Sequence, residues 1–523
     1  MQKLVETMIS KGYLMESGLL DLLKGTNENI AQRLGEAIIK STKGQKFISK
    51  NLFLENIHNV LFFLKGMQQE DEEELFAGTI EHLKSFAMPI SEKNMVLETV
   101  EKKNISQLGQ IQILKYNNPS SKKFEVDDFT KHFRGRYVVL KSMLQEREEL
   151  VGLTSIGKLP EQKQSNISVI GMVFNKRTTK NKNLIMEIED LTGRVSVVIN
   201  HSKEELFKQA GEIVLDDVIA IKGSGSREIL FADGLFFPDI LEKKPKRSPA
   251  EEYAAFISDI HLGSKNFLEE QFKKFISWIN LEEGTEEQRE IAKKLKYIFI
   301  VGDNVDGVGI FPGQEELLEI SDMREQYKKL ASFLGSVRKD VLMFMAPGQH
   351  DAVRVAEPQP PIGEDYAPEL QSIENLFLVS NPAVVKIGIT EKFEGIDVLM
   401  YHGASLHSII TSIEELRIKD GHNFPTKAVK YLLKKRHLSS QHSFTVYLPI
   451  ENDPLVISEV PDIIATGEIH KPEVGNYKGV TMIASSCWQS ITDFEEKIGN
   501  HPEPCKVPIL NLKTGEVKIL DFN

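Results

Sequence analysis

The chain has 523 residues, 41% of them hydrophobic and 27% charged, with a formal net charge of −12. That length exceeds one ordinary core and requires two or three domains, and the charge excludes a protein coated in positive charge for nucleic acid while leaving room for local basic faces. No run of about 18 apolar residues argues for a membrane span, the N-terminus lacks a signal peptide's apolar stretch, and Cys487 and Cys505, the only cysteines, allow one disulfide but no framework, so an intracellular, reducing compartment is the simplest reading.

Residues 1–65 read as a helical domain. Leu4, Met8, Leu19, Leu20, Leu22, Leu23, Ile30, Leu34 and Ile38 recur at helical spacing. Residues 66–164 read as linker and a helix leading into the next domain: an acidic run at 70–74, a short strand at 111–115, a loop at 117–121, then a helix at 127–150 with Phe133, Tyr137, Leu140 and Leu144 on one face. Residues 165–241 alternate and turn as about five strands, with a helical insert at 203–209 between the third and fourth, which is an OB-fold reading of a small β-barrel. Lys176, Arg177, Lys180 and Lys182 crowd its first hairpin, and Phe174 is the nearest aromatic platform; contact with nucleic acid and a purely protein-binding role both fit this barrel. Residues 242–252 form a basic linker that either tracks a phosphate backbone or is a solvated tether. From residue 253 onward strands alternate with helical candidates at 267–281, 286–295, 315–333 and 425–435, giving an α/β sandwich.

Within that last region five apolar runs end in metal-type ligands. Tyr297-Ile-Phe-Ile-Val301 leads through Gly302 into Asp303, a run apolar enough for a strand buried on both faces. The others lead into Asp259-Ile260-His261, into Gly348-Gln349-His350-Asp351, into His402-Gly403, and into Gly467-Glu468-Ile469-His470. An isolated Asp-Gly or a lone histidine after a strand is ordinarily a turn or a structural residue. Five such ends are better explained by chemistry gathered at the carboxyl ends of strands.

The series resembles the calcineurin-like metallophosphoesterases, whose pattern is DxH, GDxxD, GNHD, a later His, and GHxH. The details Gln349-His-Asp-Ala-Val-Arg354, Glu357-Pro-Gln-Pro-Pro361 and Tyr401-His-Gly403 narrow the resemblance to the small subunits of archaeal family D DNA polymerases. It covers residues 250–523 strongly and 105–245 more weakly. It implies a cytoplasmic archaeal protein that partners a large catalytic polymerase subunit, acts on single-stranded 3′ ends of DNA and carries 3′–5′ exonuclease activity. It also implies two divalent metals, Mn²⁺ or Mg²⁺ first and Fe or Zn as further options.

By that resemblance the first metal takes Asp259, His261, Asp303 and His470. The second takes Asp303, Gln349, His402 and Glu468, with Asp303 shared. Position 349 is Gln where the pattern has Asn, and position 468 is Glu where it has His. His350 corresponds to the catalytic histidine and Asp351 would orient it; the alternative for His350 is a ring packed beside the sheet. Arg354 reaches a phosphate or forms a structural ion pair. His407 and His442 fit no motif, and Cys487 and Trp488 read as core or subunit contact. Two other functions fit the sequence: a scaffold whose phosphoesterase site has decayed, and a stand-alone metallophosphatase.

Overall fold

The computed structural model describes residues 123–523 except 420, 493–494 and 497–499. Ahead of residue 123 it describes 2–16, 19–20, 23–26, 30–41, 47–48, 95–99, 110–116 and the single positions 53, 60, 64 and 79. The acidic run at 70–74 and the loop at 117–121 lie outside these residues, as does Leu22. The chain divides into a unit of residues 1–94 and a unit of residues 95–523.

In the first unit, helices Gln2–Ser10 and Ala31–Ser41 accompany two short parallel strands, β1 (Leu14–Met15) and β2 (Phe47–Ile48). Leu4, Met8, Leu34 and Ile38 stack at helical spacing and are buried with Leu19, Leu23 and Ile30.

The second unit opens with β3 (Met95–Thr99) and β4 (Gln110–Tyr116), an antiparallel pair. β3 falls in the stretch read as linker, whereas β4 is the strand expected at 111–115; β4 pairs with a strand of the last domain, and Ile111 and Ile113 are buried there. Only about seven residues alternate, too few to signal membership of a distant sheet. Helix Val126–Gln145 follows, opened by a reciprocal capping box between Glu125 and Asp128.

The barrel comprises β5 (Gln164–Thr178), β6 (Leu184–Asp190), β7 (Gly193–Ile199), β8 (Val218–Gly225) and β9 (Ile229–Phe236), closed in the order β5-β6-β7-β9-β8. Helix Glu204–Gly211 lies between β7 and β8, the OB-fold connection. Asp190 builds the β6–β7 turn by accepting from the Thr192 and Gly193 backbone amides and the Thr192 hydroxyl.

The remainder is two mixed sheets face to face. One runs β13-β12-β11-β10-β19-β20, from β10 (Tyr253–Ile257), β11 (Leu295–Val301), β12 (Leu342–Ala346), β13 (Leu376–Leu378), β19 (Lys506–Asn511) and β20 (Val517–Asp521). The other runs β17-β18-β16-β15-β14-β4-β3, from β14 (Ala383–Ile389), β15 (Ile396–Met400), β16 (Ile463–Thr466), β17 (Glu473–Tyr477) and β18 (Val480–Ala484). Phe256, Phe299, Phe344 and Phe377, on neighbouring strands, stack at 5.1, 5.3 and 5.4 Å between ring centroids and meet Val385, Val398 and Ile463 of the facing sheet. The period-two pattern of β11 explains its unbroken apolar run: Tyr297, Phe299 and Val301 point between the sheets, while Ile298 and Ile300 point toward helices Glu269–Ile279 and Met323–Gly335. Helix Pro425–Lys435 covers the second sheet through Val429, Leu432 and Leu433. Trp488 is buried in the first sheet's helical layer, and Cys487 and Cys505 are buried free thiols.

One helix starts later than its sequence pattern predicts. Residues 314–317 form a single 3₁₀ turn, and the α-helix begins at Met323, where Asp322 accepts from the Arg324 and Glu325 amides at 2.9 and 3.0 Å.

Two sets of ion pairs tie barrel and sandwich together. In the basic linker, Lys243 reaches Asp462 at 2.7 Å, Lys246 reaches Glu394 at 2.8 Å and Arg247 donates to the Thr514 carbonyl, while Lys244 is exposed. Helix Val126–Gln145 packs Tyr137, Leu140 and Leu144 on the barrel's Ile170, Met172 and Val218. From the same helix the buried Arg136 donates to Asp453 at 2.6 Å and to the Ser440 carbonyl at 2.7 Å. His437 completes the cluster at 2.8 Å from Asp453. Arg136→Ala would strand the Asp453 charge in the interior, so chemical denaturation should show a loss of about 3–5 kcal/mol, whereas the volume-matched double change R136M/D453L should lose less.

Candidate metal centre

The carboxyl ends of five strands, three from one sheet and two from the other, meet at one rim between the sheets. β10 delivers Asp259 and His261, β11 Asp303, β12 Gln349 and His350, β15 His402, and β16 Glu468 and His470. The backbone there is bent in a way few side chains adopt. Asp259, His261, Asp303, Glu468 and His470 all have positive φ, between 47° and 69°. Five such conformations at one site are local strain held by the surrounding sheets. Gly302 lets the backbone pass the His402 ring, where an added Cβ would lie 2.3 Å from Nδ1.

Asp259 is the hub. Its Oδ1 lies 3.2 Å from His470 Nε2, 3.9 Å from His261 Nε2 and 4.0 Å from His402 Nε2. Its Oδ2 accepts from the Ser258 hydroxyl and from the Glu468 amide. Asp303 Oδ2 stands 3.3 Å from His402 Nε2 and 4.0 Å from His350 Nε2. Ligand atoms of Asp259, His261 and His470 close on one point, those of Asp259, Asp303 and His402 on another, and those of His261, Asp306 and His350 on a third. The resemblance makes Asp303 the shared carboxylate; in the structure the residue common to the first two groups is Asp259.

Each ring is held from behind. His261 Nδ1 faces Asp306 Oδ1 at 3.2 Å, His402 Nδ1 faces the Val301 carbonyl at 2.7 Å, His470 Nδ1 faces Glu495 at 2.8 Å, and His350 Nδ1 faces the Asp306 carbonyl at 2.7 Å. Those partners only accept, so Nδ1 carries a proton and Nε2 faces inward. His261 Nε2, His402 Nε2 and Gln349 Oε1 are buried without a hydrogen-bond partner. Lone pairs and carboxylate oxygens turned toward one another and left unsatisfied fit a bound cation.

The electrostatics follow. Burial opposes charge on the His402 ring, but Asp303 and Asp259 hold it well above the usual histidine range. Asp303, despite burial, is held well below the carboxylate range by His402, His350 and His261. Against burial, His402 brings Glu468 down to about 2. Burial and Asp303 push Asp351 up to about 6, and burial pushes Glu357 up to about 8.

Gln349 and Glu468, the two departures from the pattern, touch. Gln349 Nε2 donates to Glu468 Oε2 at 2.9 Å, which turns Gln349 Oε1 inward. Glu468 Oε2 is also 3.2 Å from His402 Nε2.

Several expected roles are corrected. Asp351 does not orient the His350 ring, which belongs to Asp306. Its carboxylate accepts from Gly348 N at 2.8 Å, Asn304 Nδ2 at 2.9 Å and the Tyr327 hydroxyl at 2.8 Å, so it ties the Asp303 and His350 loops together. Arg354 turns into its own loop and donates to the Ala356 and Pro358 carbonyls. Lys176 is not on a strand-binding face: its ammonium donates to the Ala210 and Ile213 carbonyls at the end of helix Glu204–Gly211, and burial lowers its pKa to about 8. Arg177, Lys180 and Lys182 are exposed. Phe174 is half exposed, but the Arg194 guanidinium lies 3.5 Å over its ring. His442 packs with Phe129, Phe133 and Tyr447.

Sequence reasoning missed Asp306 and Glu495, the carboxylates behind His261 and His470. The spacing Asp303-x-x-Asp306 could have marked the first; nothing marks Glu495, which follows His470 by 25 residues. It also missed Gln359 and Asn381, which bond each other at 2.7 Å and hold the Gly348 carbonyl and the His402 amide.

Together these features define a class: a two-sheet α/β sandwich with a metal-ligand cluster at its strand ends, joined to a barrel of the OB type. Residues 254–475 match the DNA polymerase alpha/epsilon B-subunit family, and residues 167–228 match the OB-fold nucleic acid binding domain. The DNA polymerase II small subunit of Methanothermobacter thermautotrophicus is 39% identical over 408 residues, covering 78% of this chain and 82% of that one. That of Pyrococcus furiosus is also 39% identical, over 78% of this chain and 66% of the longer relative, and that of Archaeoglobus fulgidus is 37% identical over 77% and 78%. A solved structure titled as a novel archaeal phosphodiesterase is 13% identical over 51% of this chain, with a TM-score of 0.24, too slight a likeness to argue from. The chain belongs to the family of DNA polymerase II small subunits, the accessory subunits of archaeal family D DNA polymerases.

Among the described residues no helix is long and apolar enough to cross a membrane. Since the Glu495 carboxylate faces the outer nitrogen of His470 at 2.8 Å, Glu495→Gln should weaken Mn²⁺ binding about 10–100-fold in calorimetric titration while the fold is kept.

Proposed function

We propose that this chain is the 3′–5′ exonuclease and accessory subunit of an archaeal family D DNA polymerase, a metal-dependent phosphodiesterase that trims single-stranded 3′ ends and supports a large catalytic partner. The observation that carries the reading is the set of inward Nε2 atoms around Asp259 Oδ1, at 3.2, 3.9 and 4.0 Å. A site kept only as a scaffold has no need of such an arrangement, which is costly when nothing satisfies it.

Asp259, His261 and His470 would hold one divalent ion, and Asp303, His402, Gln349 and Glu468 a second beside it. Imidazole, amide and carboxylate donors accept Mn²⁺, Mg²⁺, Fe or Zn; the carboxylate and amide at positions 468 and 349 favour the harder Mn²⁺ or Mg²⁺. Such ions supply positive charge against a phosphodiester and make water more acidic.

The protein's own part is positioning and proton transfer. His350 sits at the edge of the cluster with 21% of its side chain exposed, so its Nε2 meets both solvent and Asp303. Held at Nδ1 by the Asp306 carbonyl, the ring is oriented to deliver a proton from Nε2 to the leaving 3′ oxygen. Asp351 keeps this loop beside Asp303 without touching the ring, so it is a positioning residue rather than a catalytic one.

The test is release of mononucleotides from the 3′ end of single-stranded DNA by the complex with its large subunit in Mn²⁺. Asp303→Ala and His350→Ala should each lower the rate at least about 100-fold; full activity in both would remove the reaction from this site. On the barrel, Arg177, Lys180 and Lys182 are the exposed cations of the first hairpin and are proposed to meet phosphates. Each replaced by alanine should reduce the slope of log affinity against log salt for single-stranded DNA by about 0.7, whereas Lys176→Met should leave the slope unchanged.

A further inference from the structure

His407 belongs to none of the motifs, yet it stands at the rim of the site. It opens the short helix Leu406–Ser412, and its Nε2 lies 3.7 Å from Glu468 Oε1. Its Nδ1 is 3.1 Å from His422 Nε2, with the two rings 5.2 Å apart. With Glu468 as the acceptor facing Nε2, the proton belongs on Nε2 of His407, and Nδ1 accepts from His422. The side chain of His407 is 37% exposed, against 0% for His402 and 17% for Glu468. It is therefore the solvent-side donor on the Glu468 flank.

The charge around the site shows what such a donor would meet. Asp259, Asp303, Asp306 and Glu468 form no ion pair with lysine or arginine among the described residues; they face imidazoles instead. Arg354 is consumed by its own loop and Lys471 points to Glu503. An anionic substrate must approach this carboxylate-rich centre past the partly exposed donors. These are His350 on the Asp303 flank and His407 on the Glu468 flank.

We propose that His407, steadied by His422, is a substrate-contacting residue: its Nε2–H donates to a non-bridging phosphate oxygen of a single-stranded polynucleotide, opposite His350. This rests on the hydrolytic reading for its substrate class, and it requires only an N–H at His407 Nε2, which the neutral ring carries.

The probe is a single-stranded trinucleotide with a phosphorothioate linkage, titrated into the full-length protein loaded with Mn²⁺. His407→Ala should raise its dissociation constant about tenfold, the effect of one hydrogen bond to a charged group. His407→Asn, which keeps a donor, should recover part of the loss, and His422→Ala should fall between. Bound Mn²⁺, counted by electron paramagnetic resonance, should be the same in all variants. An unchanged dissociation constant in His407→Ala overturns the contact whatever the hydrolysis rate. A lost ion in that variant also overturns it, since His407 would then be a metal ligand. If the wild type releases no nucleotides while His407→Ala still weakens binding, the exonuclease reading falls and the contact stands.

Discussion

Everything at the functional end of this molecule follows from one constraint: a set of atoms that can only accept has been turned toward a common point. Carbonyls and carboxylates behind the rings of His261, His402 and His470 take the Nδ1 protons and leave Nε2 facing inward. Asp259 and Asp303 bring charge to the same place. In the absence of a cation or extra protons these groups repel, and a buried acceptor without a partner costs of the order of 1–3 kcal/mol. The sandwich must therefore be stable enough to hold them, and its stacked phenylalanines and double-sided apolar strands supply the burial that does so.

The same economy explains the strained loops. Five rim residues with left-handed backbone project from strands of two sheets. Asp351 links the Asp303 and His350 loops, Gln359 and Asn381 join the Gly348 end of the latter to the His402 loop, and Gly302 lets the backbone pass the His402 ring. The Gln349–Glu468 hydrogen bond belongs with these supports. Read one position at a time, the two substitutions look like erosion of the site. Read as a touching pair, they look like a coherent replacement, because the longer amide reaches the carboxylate and still presents its oxygen inward.

Away from the site, positive charge has been spent on architecture. Lys243, Lys246, Arg247 and Arg136 bind the barrel and its leading helix to the sandwich, and Lys176 closes the end of a barrel helix. The cations left exposed on the first hairpin, Arg177, Lys180 and Lys182, are fewer than the sequence implies.

The barrel strands, the helix ahead of them and the strands that end in the rim residues were legible along the chain, because strand ends, apolar periodicity and Gly-Asp turns are local properties. So were the eight positions whose side chains line the rim, from Asp259 to His470, since each follows the end of one of five strands. Which residues stand behind them was not legible. Glu495 and Asn381 reach His470 and His402 across 25 and 21 residues of sequence, and His407 faces Glu468 from a different element. Nor could charge alone separate Lys176, turned into helix carbonyls, from Lys180 in solvent. Local composition decides what a segment becomes; which groups meet across two sheets, and therefore which atoms are left without a partner, is decided only when the chain folds.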